Sequence, residues 1–258
     1  MKLFIREYGE AHTQGPVLVI LHGLFGMGDN WTALAKQLGE TYRVIVPDLR
    51  NHGQSPHAEE MNIEAMSNDL AEMLSEYRLE NVILLGHSMG GKVAMDFALR
   101  YPNKVSKLVV ADIAPRQYAI SELHQRVIAL LQQIDPALEG SRKAIEEKLM
   151  QGGLDFGVAQ LLMKNLYWKE ETLAWRFNID ALANHLPEIG AAVQADKPYA
   201  GATLFLRGGN SSYIGVQDEA AIHALFPNAS IAPLEGAGHW LHAEKPAEFL
   251  HAVLDFIA

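Results

Sequence analysis

Short uninterrupted apolar runs, each closed by a turn signal, recur along the chain at Val17–Leu21, Tyr42–Pro47, Asn81–Leu85, Lys107–Asp112, Thr203–Leu206 and Ala229–Pro233. Runs of this length without polar alternation predict strands buried on both faces. Between them, at Thr32–Leu38, Asn62–Tyr77, Met89–Tyr101 and Ala247–Ile257, apolar residues return every three or four positions, the period of a helix with one buried face. Strand and helix in alternation predict an α/β fold with a mostly parallel central sheet flanked by helices. Lys2–Glu7 reads as an additional edge strand.

From Pro115 to Lys197 the strand pattern stops and helical periodicity takes over, with helices predicted at Ser121–Ile134, Arg142–Met150, Phe156–Asn165 and Trp175–Leu186. An interval of about 80 residues between two strands is a subdomain, not a loop. It predicts a helical cap or lid over residues 115–197, inserted after the sixth strand of a core built from residues 1–114 and 198–258. Extra packing helices with no gating role are the alternative.

Composition narrows the functions open to such a fold. With 49% hydrophobic and 20% charged residues the chain has enough apolar material for a large core, which excludes disorder as its main state. The formal net charge of −10 repels phosphate backbones and anionic membrane surfaces, so neither nucleic acid nor membrane is an expected partner. There is no cysteine, which removes thiol nucleophiles, disulfides and cysteine-held metals. Charged residues follow Met1 at once and no apolar run approaches the ~18 residues of a membrane span. Cytoplasmic residence is the resulting expectation.

The strongest chemical signal is Asn81-Val-Ile-Leu-Leu-Gly86-His87-Ser88-Met89-Gly90-Gly91-Lys92, in which an apolar strand runs into Gly-x-Ser-x-Gly and then into a helix. This is the form of a nucleophile elbow: the serine sits in a strained turn, and the flanking glycines let strand and helix approach. The same letters fit a phosphate loop, Gly86-x-x-x-x-Gly91-Lys92, but the next residue is Val93, which offers magnesium no ligand. The elbow reading implies no metal and no organic cofactor. A second strand enters a glycine turn at His22-Gly23-Leu24-Phe25-Gly26, where the Leu24 N–H, together with that of Met89, can form an oxyanion hole. His22 reads as a tie for that loop.

A serine attacks only when a neighbour accepts its proton. Of the 11 histidines, His239 alone lies in a glycine-rich turn, Glu235-Gly-Ala-Gly-His239, after the last predicted strand and on the edge that carries Ser88. A carboxylate must then hold the imidazole. The turn after Thr203–Leu206 offers Asn210, Ser211 and Ser212 and no acid before Asp218, whereas the strand after the elbow helix ends at Asp112. Asp112 is the preferred acid and Asp218 the fallback. Phe25, Trp168 and Trp175 are candidate pocket-lining residues, with core packing as the alternative. Arg116 reads as a surface residue that can also meet an anionic substrate group.

In order, His22-Gly-Leu-Phe-Gly26, Asp48-Leu-Arg-Asn-His-Gly-Gln-Ser55, Gly86-His-Ser-Met-Gly-Gly91, Gly236-Ala-Gly-His239 and Glu244-Lys-Pro246 resemble the α/β-hydrolase superfamily over nearly the whole chain. Asp112-Ile-Ala-Pro115, Trp175-Arg-Phe-Asn178 and Gly208-Gly-Asn-Ser211 are similar more narrowly to YbfF-type bacterial esterases. That resemblance implies an α/β-hydrolase fold and an acid at the position of Asp112. Ser88 excludes the dehalogenase and epoxide-hydrolase branches, which carry aspartate at the elbow. The expected function is a serine esterase acting on small-molecule carboxylic esters or thioesters through an acyl-enzyme, with Ser88, His239 and Asp112 as the triad. Carbon–carbon bond hydrolysis, cofactor-free haloperoxidation and non-catalytic small-molecule binding are the alternatives. The oligomeric state is not readable from the sequence.

Overall fold

The computed structural model describes residues 1–12 and 15–258. Strands β1 (Ile5–Tyr8), β2 (Val17–Leu21), β3 (Arg43–Pro47), β4 (Val82–His87) and β5 (Val105–Ala111) precede the predicted insertion, and β8 (Ala202–Gly208) and β9 (Ala229–Leu234) follow it. They form one sheet in the order β1-β3-β2-β4-β5-β8-β9, in which only β1 is antiparallel to its neighbour. Because side chains alternate across a strand, each strand feeds two cores. Val19, Leu84, Leu108 and Val110 pack on one side with helices α2 (Ile63–Glu76) and α3 (Met89–Arg100). Leu18, Ile20, Ile83, Leu85 and Val109 pack on the other with α1 (Thr32–Leu38) and the C-terminal α12 (Pro246–Ile257).

Register brings the chemistry to one edge. Leu21 lies beside Gly86 and His87 beside Ala111, so β2, β4 and β5 end level and their following turns lie side by side. Gly208 and Leu234 end β8 and β9 in the same way, which delivers the turn before α11 (Leu241–Glu244) to that edge. Helix α10 (Glu219–Leu225) links the last two strands.

Residues 115–197 hold α4 (Glu122–Gln133), α5 (Pro136–Glu139), α6 (Arg142–Gln151), α7 (Phe156–Met163), α8 (Ile179–Asn184) and α9 (Leu186–Ile189). Ser121, Ser141, Asp155 and Asn178 cap α4, α6, α7 and α8, each accepting a backbone N–H of the first turn and so fixing where the helix begins. Two features differ from the sequence reading. Among the described residues five strands, not six, precede the insertion. The insertion also contains an antiparallel hairpin, β6 (Leu166–Lys169) and β7 (Thr172–Trp175), where a helix was expected to begin. Its aromatic and threonine residues suit a pleated ribbon, and Glu170 turns the chain at φ +56°.

Polar ties hold the insertion to the core. The Asn165 amide donates to the Phe25 carbonyl at 2.9 Å, and the Asn178 N–H to the Asn51 carbonyl at 3.1 Å. Its two stems pair through Tyr118 N–H to Gly190 O, 2.8 Å, and Val193 N–H to Pro115 O, 2.7 Å. Beneath them, buried Lys92 on α3 donates to the carbonyls of Arg116 (2.5 Å) and Ala191, with that of Gly190 at 3.4 Å. Burial, with the Arg116 charge adding to it, lowers the Lys92 pKa to about 7. Lys92→Met leaves these carbonyls without their donor, and is expected to lower stability by about 2–4 kcal/mol. Amide exchange at Tyr118 and Val193 should rise first, and unchanged exchange there would remove Lys92 from this role.

Candidate active site

Strand β4 ends in a turn that only small neighbours permit. A side-chain carbon on Gly86 would lie 2.2 Å from the Gly90 carbonyl oxygen, and one on Gly90 would lie 2.4 Å from that of Leu21. Ser88 between them has φ +52° and ψ −118°, a conformation that costs about 1–3 kcal/mol and that projects the hydroxyl away from the sheet.

The Ser88 hydroxyl lies 3.1 Å from Nε2 of His239. The other ring nitrogen, Nδ1, donates to Oδ2 of Asp112 at 2.7 Å. Asp112 is buried and accepts two further bonds, from the Gly208 N–H at 2.9 Å and from the Ser211 hydroxyl. The turn that lacks a carboxylate thus supplies donors to one that arrives from β5. Asp218 lies elsewhere: it accepts the Gly215 N–H at 2.9 Å and pairs with the Arg116 guanidinium at 2.8 Å. Arg116 accordingly is not a free surface cation, and its guanidinium stacks on Tyr118 at 3.9 Å.

Two contacts that orient His239 escaped the sequence reading. Tyr213 stacks on its ring at 3.8 Å and 17°. His87, between the elbow glycine and Ser88, donates from Nε2 to the His239 carbonyl at 2.8 Å. Burial, then the neighbouring His242 and His239, holds the His87 pKa well below the ordinary value, so the ring is neutral and Nε2 carries its one proton. Only the position of His87 inside the elbow motif hinted at a role.

Leu24 and Met89 flank Ser88, and among the described residues neither N–H has a backbone acceptor. Their loop is braced by two neutral histidines. His22 donates from Nδ1 to the Gly23 carbonyl (2.8 Å) and accepts the Leu49 N–H (2.9 Å). His52 donates to the Arg50 carbonyl (2.9 Å) and accepts the Phe25 N–H (3.3 Å). Burial lowers their pKa values to about 4 and about 3.

Cavities open on either side of Ser88. One, about 50 Å³, is bounded by His239, Trp240 and the apolar Phe25, Leu123, Val127 and Leu161. The other, about 230 Å³, is bounded by Met89, Ile113, Tyr118 and Tyr213. Phe25 borders the first cavity, and Trp168 and Trp175 border neither. Trp168 is 60% exposed on the hairpin, and the Trp175 indole turns to the Ile134 carbonyl at 3.4 Å. His124 borders both cavities, and burial lowers its pKa. Among the described residues no cluster suited to a metal ion occurs, and no helix is long and apolar enough to cross a membrane.

The sequence profile of the alpha/beta hydrolase fold family matches residues 16–246. The chain belongs to that family. This α/β-hydrolase is 40% identical over 250 residues to the sn-1-specific diacylglycerol lipase ABHD11 of Mus musculus, covering 94% of the chain and 81% of the relative. It is 35% identical over 259 residues to Esterase YbfF of Escherichia coli, covering 100% and 99%. Among solved structures it superimposes on a marine microorganism esterase with a TM-score of 0.95 and 41% identity, covering 99% of each chain.

Proposed function

We propose that this α/β-hydrolase is a serine esterase that cleaves carboxylic esters or thioesters through an acyl-enzyme. The observation that carries the reading is the continuous relay from Ser88 through His239 to Asp112, mounted on a positive-φ elbow. Ser88 Oγ attacks the acyl carbonyl while His239 Nε2 takes its proton, and the oxyanion so formed is met by the N–H groups of Leu24 and Met89. As the carbonyl re-forms, the bond to the leaving oxygen or sulfur breaks and His239 returns the proton to it. Water then repeats the sequence on the acyl-enzyme, leaving the carboxylic acid and free Ser88. Asp112 holds His239 in the tautomer with the proton on Nδ1. Residues 115–197 serve as a cap, whose α4 and α7 contribute Val127 and Leu161 to the apolar wall. The relatives named esterase and lipase support the same class of substrate.

Ser88→Ala is expected to reduce p-nitrophenyl butyrate hydrolysis by at least 10⁴-fold. A fluorophosphonate should label the wild type once, at Ser88, and leave the variant unlabelled. Hydrolysis that survives in the variant would overturn the assignment.

A further inference from the structure

His239 returns its proton to the leaving oxygen, so the alcohol side of an ester lies on the His239 side of Ser88. The cavity there is narrow, about 50 Å³, and continues into a groove of about 450 Å³. Asn30, Leu161, Trp240 and His242 border both spaces and so form the passage between them.

His242 is a costly residue to place in this wall. Its ring is buried, stacked on Trp31 at 4.2 Å and 8°, and has no hydrogen-bond partner among the described residues. Burial, then the His239 and Lys164 charges, lowers its pKa to about 3, so the ring is neutral and carries one proton. Nδ1 is sealed from solvent and unpartnered. A sealed N–H costs more than a sealed lone pair, which puts the proton on Nε2, the nitrogen left to face the passage. A phenylalanine would fill the same volume and stack on Trp31 without that cost. Two neighbours add unspent polar capacity. Asn30 uses its oxygen on the Met27 N–H at 2.7 Å, leaving its amide N–H groups, and Gln160 uses its amide nitrogen on Glu146, leaving its oxygen.

Charge in the groove argues for a neutral occupant. Asp155 and Glu244 face one lysine, Lys164, and both Glu244 oxygens already accept N–H groups from Gly238 and Trp240.

We propose that His242, assisted by Asn30 and Gln160, is a subsite for an oxygen on the leaving alcohol, favouring esters of neutral alcohols that carry a further hydroxyl. This rests on the esterase reading and assigns His242 a role in substrate selection.

Two butyrate esters with three-carbon alcohols, 1-butyrylglycerol and propyl butyrate, test it. The ratio of their kcat/KM values is measured for the wild type and for His242→Phe, which preserves the stacked ring. Intrinsic reactivity cancels between the two proteins, so a change in the ratio isolates the contact. The ratio is expected to fall about tenfold, the scale of one neutral hydrogen bond. An equal loss on both esters, or no change in either, would overturn the subsite. Binding of 1-butyrylglycerol to Ser88→Ala protein, followed by tryptophan fluorescence, gives a readout independent of turnover. Adding His242→Phe should weaken that binding about tenfold, and equal affinities would reject the proposal. If the wild type hydrolyses neither ester, the esterase reading fails, and the binding titration still decides the subsite.

Discussion

Asp112→Asn is expected to lower kcat for p-nitrophenyl butyrate by about 10⁴-fold while leaving the fold intact. The carboxylate accepts three donors, from His239 Nδ1, Gly208 N and the Ser211 hydroxyl. An amide has one acceptor atom and one donor atom, so it cannot serve all three. Gly208 N is fixed by the sheet, which favours the amide oxygen facing it and the amide N–H₂ facing His239. The imidazole can then accept at Nδ1 only by moving its proton to Nε2, where it blocks transfer from Ser88. Asp218→Asn removes a charge that serves Arg116 and should cost less than tenfold in the same assay. The two variants therefore separate the competing acids, and a loss below tenfold in Asp112→Asn would remove Asp112 from the relay. Circular dichroism and thermal melting establish that the comparison is made on folded protein.

How much of this was legible in the sequence varies with the range of the interaction. The elbow is local: an apolar strand, Gly86 and Gly90 spell out a close approach of strand and helix, and the structure puts 2.2 Å between a side chain on Gly86 and the Gly90 carbonyl. Ser88, His239 and Asp112 could be named because each ends or follows a strand, and parallel strands deliver their carboxyl ends to one edge. What holds them in register is not local. Ser211 meets Asp112 across 99 residues and His87 meets the His239 carbonyl across 152, and neither pairing leaves a periodic trace. The β6–β7 hairpin was lost for another reason. Leu166–Lys169 and Thr172–Trp175 are four residues each, too short for a period of two to be told from a helical one.

The buried histidines that brace the site should also make the protein acid-sensitive. His22, His52 and His242 have pKa values of about 4, 3 and 3 in the folded chain, with burial as the main cause, against an ordinary value of 6.5. A lowered folded-state value means that, as pH drops below 6.5, the unfolded chain binds protons that the folded chain refuses. Their contribution to stability is therefore fully present above pH 6.5 and is lost as pH falls towards 4 to 3, where the folded rings finally protonate. Each group contributes about 1.4 kcal/mol per pH unit within that window, so the three together contribute about 4 kcal/mol per unit. By pH 5 roughly 6 kcal/mol is gone, comparable with the whole stability of many domains. Lys92, held at about 7 against 10.5, adds a slope above pH 7, so urea unfolding at pH 8, 7, 6 and 5 should show stability falling throughout and most steeply below pH 6. His242→Phe, which keeps the ring on Trp31, should flatten that slope by about 1.4 kcal/mol per pH unit, because one site no longer titrates while His22, His52 and His87 still do. A midpoint that stays constant down to pH 5 would mean that these rings accept protons in the folded state. The bonds His22 and His52 make would then have to change, since each uses one nitrogen to accept a backbone N–H that an imidazolium cannot receive.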